Sequence, residues 1–194
     1  MGRLLFLDTE TTGLPKERNK NGLQEPNNWP DIVSVAWSVY EGTELKKTMY
    51  SIIKPDGWVI PEESTKIHTI TTEYALEHGR PLKDVLEELK SDLASVHTFV
   101  AHNVQFDKNV LLSAYAWRLK TNPWAFWPVN DVCTMIRSEG ELKLPSKFRD
   151  SMKYKSPTLK ELYYDTFHEE LVNAHSSKDD MEAVVEIYFE RWRH

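Results

Sequence analysis

Arg3-Leu4-Leu5-Phe6-Leu7-Asp8 is a short apolar run closed by Thr, Gly and Pro signals. A run of that kind marks a buried central strand, so the chain has to supply sheet neighbours and helical cover for it. Residues 32–39 and 46–53 carry two more strand patterns, and Glu41-Gly42-Thr43-Glu44 between them is a short hairpin-type connection. The first three strands are therefore expected as an antiparallel meander. Apolar residues then recur at helical spacing at Leu82, Val85, Leu86, Leu89 and Leu93, and residues 98–101 read as another buried strand. After it, Asp107, Val110, Leu111, Ala114 and Arg118 share one helical face, with Asp107 at the helix start. Met181, Val184, Val185, Tyr188 and Trp192 line a final helix. Strands first and helices mostly later, with one β-α crossover, indicate a mixed α/β sheet domain.

Composition narrows the function classes. A length of 194 residues fits one domain, residues 1–194, large enough to close its own core. Thirty acidic against 24 basic residues give a net charge of −6, which disfavours an indiscriminate basic nucleic-acid binder but suits a site built from carboxylates. The single cysteine, Cys133, excludes an intrachain disulfide framework and a Cys-based zinc cluster. No apolar run approaches the roughly eighteen residues of a membrane span, and Asp8 cuts the opening Met1–Phe6 segment too short for a signal peptide. Gly2 lacks the Ser or Thr at position 6 that myristoylation wants. The expected setting is cytoplasmic or nuclear, with no membrane partner. Two stretches read as irregular: the polar, Asn- and Pro-rich loop 15–30, and residues 143–160, where Lys143, Lys147, Arg149, Lys153, Lys155 and Lys160 face one acid, Asp150.

Asp8 and Glu10 stand two apart at the end of the first strand, and period-two alternation puts both side chains on one face. Two carboxylates held together repel unless a proton or cation intervenes, and hard oxygen ligands suit Mg²⁺ or Mn²⁺. By themselves they also read as strand-end carboxylates in solvent. Asp107 lies near a helix N-terminus on the core-facing side, where the helix dipole alone would favour it. His175 and Asp180 are five apart at the start of the last helix; Asp180 suits a cap, and a neutral histidine can take a proton from water.

Taken in order, Asp8-Thr9-Glu10-Thr11-Thr12-Gly13-Leu14, then His102-Asn103-Val104-Gln105-Phe106-Asp107, then His175 with Asp180 closely resemble the DnaQ-like 3′–5′ exonucleases, the DEDD superfamily in its histidine branch. That family is typified by the proofreading epsilon subunit of bacterial replicative polymerase. Ile67-His68-Thr69-Ile70-Thr71, Asp131-Val132-Cys133-Thr134 and the stretch 30–37 resemble minor family segments. The tyrosine branch would place Tyr where this chain has Ser176; His175 is present instead.

The resemblance implies a ribonuclease-H-like α/β fold, a mixed five-stranded sheet of three antiparallel and then parallel strands flanked by helices. It implies that Asp8, Glu10 and Asp180 ligate two ions, Mg²⁺ or Mn²⁺, with Asp107 completing the acidic set and His175 as general base. Two ions about 4 Å apart stabilise the attacking and leaving oxygens of a phosphodiester. A neutral His175 predicts activity rising through roughly pH 6.5 to 8. Substrate contacts are implied at Thr9, Thr11, Leu14, His68, Asn103 and Phe106. Phe106 also reads as a core aromatic, and His68 as a satisfied structural histidine. The basic stretch 143–160 is a candidate for phosphate contacts or simply a solvated loop, and Trp124 and Trp127 are expected in a core corner.

The expected substrate is a single-stranded or frayed DNA 3′ end, with an RNA 3′ end as the alternative and a DNA polymerase as a partner in trans. A non-catalytic nucleic-acid-binding or polymerase-partner module, and an unrelated α/β phosphatase, are the rivals from other classes. The oligomeric state is not legible. Two departures bear on substrate preference: Thr69 stands where the family has Gly, and Ser176-Ser177 where Arg or Asn followed by Ala is frequent.

Overall fold

The N-terminal apolar run forms β1 (Arg3–Thr11), the middle of five strands. The others are β2 (Ile32–Glu41), β3 (Glu44–Ile52), β4 (Thr98–Ala101) and β5 (Asn130–Cys133), in the sheet order β3-β2-β1-β4-β5. β1–β2 and β2–β3 pair antiparallel; β1–β4 and β4–β5 pair parallel. The expected meander and mixed sheet are both present. The computed structural model describes residues 2–146, 154–172 and 174–192. Met1 of the opening segment and Lys147, Arg149, Asp150 and Lys153 of the basic stretch lie outside the described residues.

Alternation along β1 sorts its side chains between two layers. Leu5 and Leu7 join Val35, Trp37 and Phe99 in a core closed by Val85, Leu86, Leu89 and Leu93 of α3 (Leu82–Leu93) and by Val110 and Leu111 of α4 (Val104–Ser113). Phe6 joins Ala36 and Val100 on the opposite face, under Met181, Val184 and Val185 of α7 (Ser177–Trp192). Each such side chain taken fully out of water contributes about 1.5–3 kcal/mol, so both layers hold β1 firmly. Strand β2 is buried at eight consecutive positions for the same reason, whereas the edge strand β3 shows solvent Lys46 and Lys47, which discourages pairing with another chain.

The shorter helices fill the connections: α1 (Glu62–His68) and α2 (Thr72–His78) after β3, then α5 (Thr134–Leu142) and α6 (Leu159–Phe167), the last with a Thr158/Glu161 capping box. Helix α4 does not carry one face straight through to Arg118. Ala114–Arg118 widens into a π-type turn, which buries Tyr115 with its hydroxyl donating to the Leu86 carbonyl at 2.7 Å and leaves Arg118 paired with Asp31. Among the described residues, no helix is long and apolar enough to cross a membrane.

Candidate active site

Asp8 and Glu10 emerge from the end of β1 on the α7 face, in line with Phe6. The β1–β2 register shifts between Glu10 and Thr11, an irregularity of the kind that re-aims side chains at strand ends. Asp180 comes down from the first turn of α7. One carboxylate oxygen from each of Asp8, Glu10 and Asp180 lies within 4.8 Å of the others. The helix is held in place by Ser177, fully buried, whose Oγ lies 2.9 Å from Oγ of Ser34, the residue opposite Glu10 in β2. The small-residue departure at Ser177 thus has a structural partner, a hydroxyl on the neighbouring strand that the sequence did not single out.

Asp107 approaches from the other face. It sits in the first turn of α4, is buried, and its Oδ1 accepts from the Thr9 backbone N–H at 3.0 Å and from the Thr9 hydroxyl at 2.7 Å. It is not one of the three clustered carboxylates. Thr9, expected among the substrate contacts, is buried on the α4 face with its hydroxyl given to Asp107.

Electrostatically the site is loaded. Burial, then Asp107, Asp180 and Glu10, push the Asp8 carboxyl well above the ordinary carboxylate range. Burial, then Asp180 and Asp107, raise Glu10 to about 7. Burial also raises Asp107 against the opposing hydrogen bonds from Thr9, and raises Asp180 against the His175 backbone N–H and the His175 ring. Asp180 Oδ1 is buried without a hydrogen-bond partner among the described residues. An orphaned buried oxygen on a carboxylate that is itself clustered with two more is a costly arrangement for protein alone and a good one for a hard divalent cation, so these residues fit such an ion.

His175 stands in the turn before α7 with φ 80, exposed, its backbone N–H donating to Asp180 Oδ2 at 3.0 Å. Its side chain borders a pocket of about 380 Å³ shared with Glu10, Tyr50, His68 and Tyr74. His68 is buried at the end of α1; its Nδ1 accepts from the Ile70 N–H at 3.2 Å, while Nε2 has no hydrogen-bond partner among the described residues. Burial lowers its pKa. Thr69 after it takes φ 65, a conformation that glycine adopts freely and a β-branched residue resists.

The remaining expected contacts gather elsewhere. Leu14 (66% exposed), Asn103 (φ 64) and Phe106 border a second cleft of about 530 Å³. Phe106 is half-buried and meets Trp29 edge-to-face, 5.8 Å between centroids, so it is at once a core aromatic and a cleft wall. Thr11 is buried, its hydroxyl donating to the Gly13 carbonyl at 2.8 Å. His68 therefore lies apart from the Leu14, Asn103 and Phe106 group, in the other pocket. Of the basic stretch, Lys155 pairs with Glu161, and Lys160 is close enough to favour the charged form of Asp180. Trp127 packs against Phe99 as expected, whereas Trp124 is 55% exposed, a correction to the core corner. Lys108 lies over its ring and Trp127 meets it edge-to-face, and the exposed part faces solvent among the described residues.

A ribonuclease-H-like mixed sheet with a cation-fitting carboxylate cluster at the end of its central strand defines the class of fold. The family model described as Exonuclease (RNase_T) matches residues 5–188, and the chain belongs to that family. No curated protein sequence matches it. Among solved structures it is similar to E. coli Exonuclease I in complex with a dT13 oligonucleotide, with a TM-score of 0.73 and 18% identity over 96% of this chain and 40% of that one. The zinc-bound form of the E. coli Exonuclease I complex with single-stranded DNA gives 0.73 and 18% over 99% and 41%. A moderately thermophilic Exonuclease I from Methylocaldum szegediense gives 0.72 and 17% over 99% and 41%. The chain spans about two fifths of the length of these proteins, and the likeness is one of fold.

Proposed function

We propose that residues 1–194 act as a metal-dependent 3′–5′ exonuclease domain that removes nucleoside 5′-monophosphates from single-stranded or frayed DNA. The observation that carries this reading is the Asp8, Glu10 and Asp180 cluster, with its orphaned buried oxygen, in a chain of the exonuclease family. DNA as the substrate is supported by the oligodeoxynucleotides held by E. coli Exonuclease I.

Asp8, Glu10 and Asp180 would hold two divalent ions, Mg²⁺ or Mn²⁺, with Asp107 completing the acidic set, and the ions would supply positive charge for the attacking and leaving oxygens. His175 takes the proton of the attacking water. The water oxygen forms a bond to phosphorus, the bond to the 3′ oxygen of the preceding nucleotide breaks, and that oxygen keeps the electron pair and takes a proton from solvent. Asp180 holds the His175 backbone through its Oδ2, so the base and the carboxylate cluster move together. Thr9 orients Asp107. The Thr11–Leu14 turn meets the terminal 3′-OH and Leu14 wedges against the last base.

A gel time course on matched 5′-labelled single-stranded DNA and RNA, in Mg²⁺ or Mn²⁺, with EDTA and Asp8→Ala controls, tests the reading. A metal-dependent ladder shortening from the 3′ end and lost in the variant is expected, faster on DNA. Faster RNA shortening would replace the substrate. Intact strands bound without cleavage would replace the enzyme with a binding module.

A further inference from the structure

The loop 15–30 is long and polar, yet it is pinned at several points. Asn28, buried, receives the Glu17 N–H on its Oδ1 at 2.9 Å and donates from Nδ2 to the Glu17 carbonyl at 3.0 Å. The Gly22 N–H donates to Asn109 Oδ1 of α4 at 2.9 Å, and the Trp117 indole donates to the Gly22 carbonyl at 2.9 Å. A Cβ on Gly22 would come within 2.2 Å of the Asn109 carbonyl oxygen, so only glycine allows this approach. The Trp29 indole donates to the Lys20 carbonyl at 3.0 Å, and Lys20 is tied to Glu17 and Glu25. These contacts make the loop a wall with a fixed shape.

That wall meets α4 along the 530 Å³ cleft, where Trp29 packs edge-to-face on Phe106 to form one aromatic side, and Leu14, Arg18 and Asn103 also line it. The cleft is lined by Leu14 of the turn that follows β1 and by Asn103, Gln105 and Phe106, the residues just before Asp107, so along the chain its walls adjoin two of the elements that carry the carboxylates. Arg18 is exposed and has no ion-pair partner among the described residues, in a chain whose net charge is −6.

We propose that loop 15–30 is a strand-binding wall, which holds the nucleotides immediately 5′ of the scissile bond, with Arg18 on a backbone phosphate and the Trp29/Phe106 side of the cleft against a base. This rests on the exonuclease reading of the neighbouring carboxylates. A guanidinium suits a phosphate in a fixed fork, and aromatic faces accept any base, so the wall recognises a single strand without reading its sequence.

Fluorescence anisotropy tests it, with 5′-labelled twelve-nucleotide DNA and RNA carrying a phosphorothioate at the 3′-terminal linkage, in Ca²⁺, at several salt concentrations. Arg18→Ala is expected to weaken oligonucleotide binding about tenfold and to reduce the salt slope by about one, with Arg18→Lys recovering most of the affinity. Thymidine 5′-monophosphate, which lacks the preceding nucleotides, should compete equally well in all three proteins. Unchanged oligonucleotide affinity in Arg18→Ala, an equal loss for the mononucleotide, or no binding by the wild type would each overturn the proposal. Arg18-dependent binding in a protein that leaves unmodified strands intact would sink the exonuclease reading alone.

Discussion

The two faces of β1 solve opposite problems with the same backbone. On the α4 face, Thr9 and Thr11 are buried with every hydroxyl placed, one on Asp107 and one on the Gly13 carbonyl. On the α7 face, one residue away at each step, Asp8 and Glu10 crowd Asp180 and leave one of its oxygens without a partner. The first face has its hydroxyls satisfied by protein, with Asp107 there repelling Asp8 and Glu10; the second crowds three carboxylates together, an arrangement that suits positive charge. A single strand with period two can therefore carry satisfied hydroxyls on one side and crowded carboxylates on the other.

Removing charge from the α7 face should break this contrast most sharply. Asp8→Asn is expected to lower exonuclease turnover on the order of 10³-fold, the scale of losing a main electrostatic contributor, while raising the melting temperature in EDTA. A lower melting temperature would mean that Asp8 is a structural residue. The second effect concerns pH. Glu10 rises from an ordinary value near 4.5 to about 7 in the fold, so between those values the native state holds more protons than the unfolded chain. That contribution is fully present below about pH 4.5 and is lost as pH rises through 7. Denaturant melts in EDTA should lose on the order of 3 kcal/mol from pH 5 to pH 8, and Mn²⁺ should restore most of it at the upper end.

On the α4 face, Thr9→Val removes the hydroxyl bond to Asp107 and keeps the backbone one. Turnover is expected to fall about tenfold, with the pH–rate profile moved upward because Asp107 loses a group that favours its charged form; stability should change by about 1 kcal/mol. An unmoved pH profile would assign Thr9 to packing alone. The smallest change lies at the rim of the His68 pocket. Thr69→Gly relieves the positive φ and should stabilise the protein by about 1 kcal/mol in urea melts, with turnover unaltered.

Much of this is legible in the sequence. The meander follows from runs of strand formers around a two-residue connection, and the sharing of a face by Asp8 and Glu10 follows from alternation alone. The partnership of Thr9 with Asp107 was not readable, because it joins residues 98 positions apart and each looks ordinary by itself. Nor was the separation of His68 from Leu14, Asn103 and Phe106: a motif orders residues along the chain, while the sheet decides which side of the carboxylates each one reaches. The loop 15–30 read as irregular because its order comes from single contacts to α4, at Asn109 and Gly22, and no periodicity records those. Trp124 was misplaced by the same logic, since its Pro-flanked pair with Trp127 has one member inside and one outside.

The meeting of β1 with the first turn of α7 has a consequence for how the molecule comes into being. Asp8 and Asp180 are separated by 172 positions (180 minus 8), so the centre joins two stretches that leave the ribosome far apart in time. At about 5–20 residues per second, roughly ten to thirty seconds pass between the emergence of the one carboxylate and the other. Through that interval β1 can pair with β2 and then β4, and the core under α3 and α4 can form, while the three-carboxylate cluster lacks Asp180. The cluster of Asp8, Glu10 and Asp180 is thus completed only when α7 docks against β1.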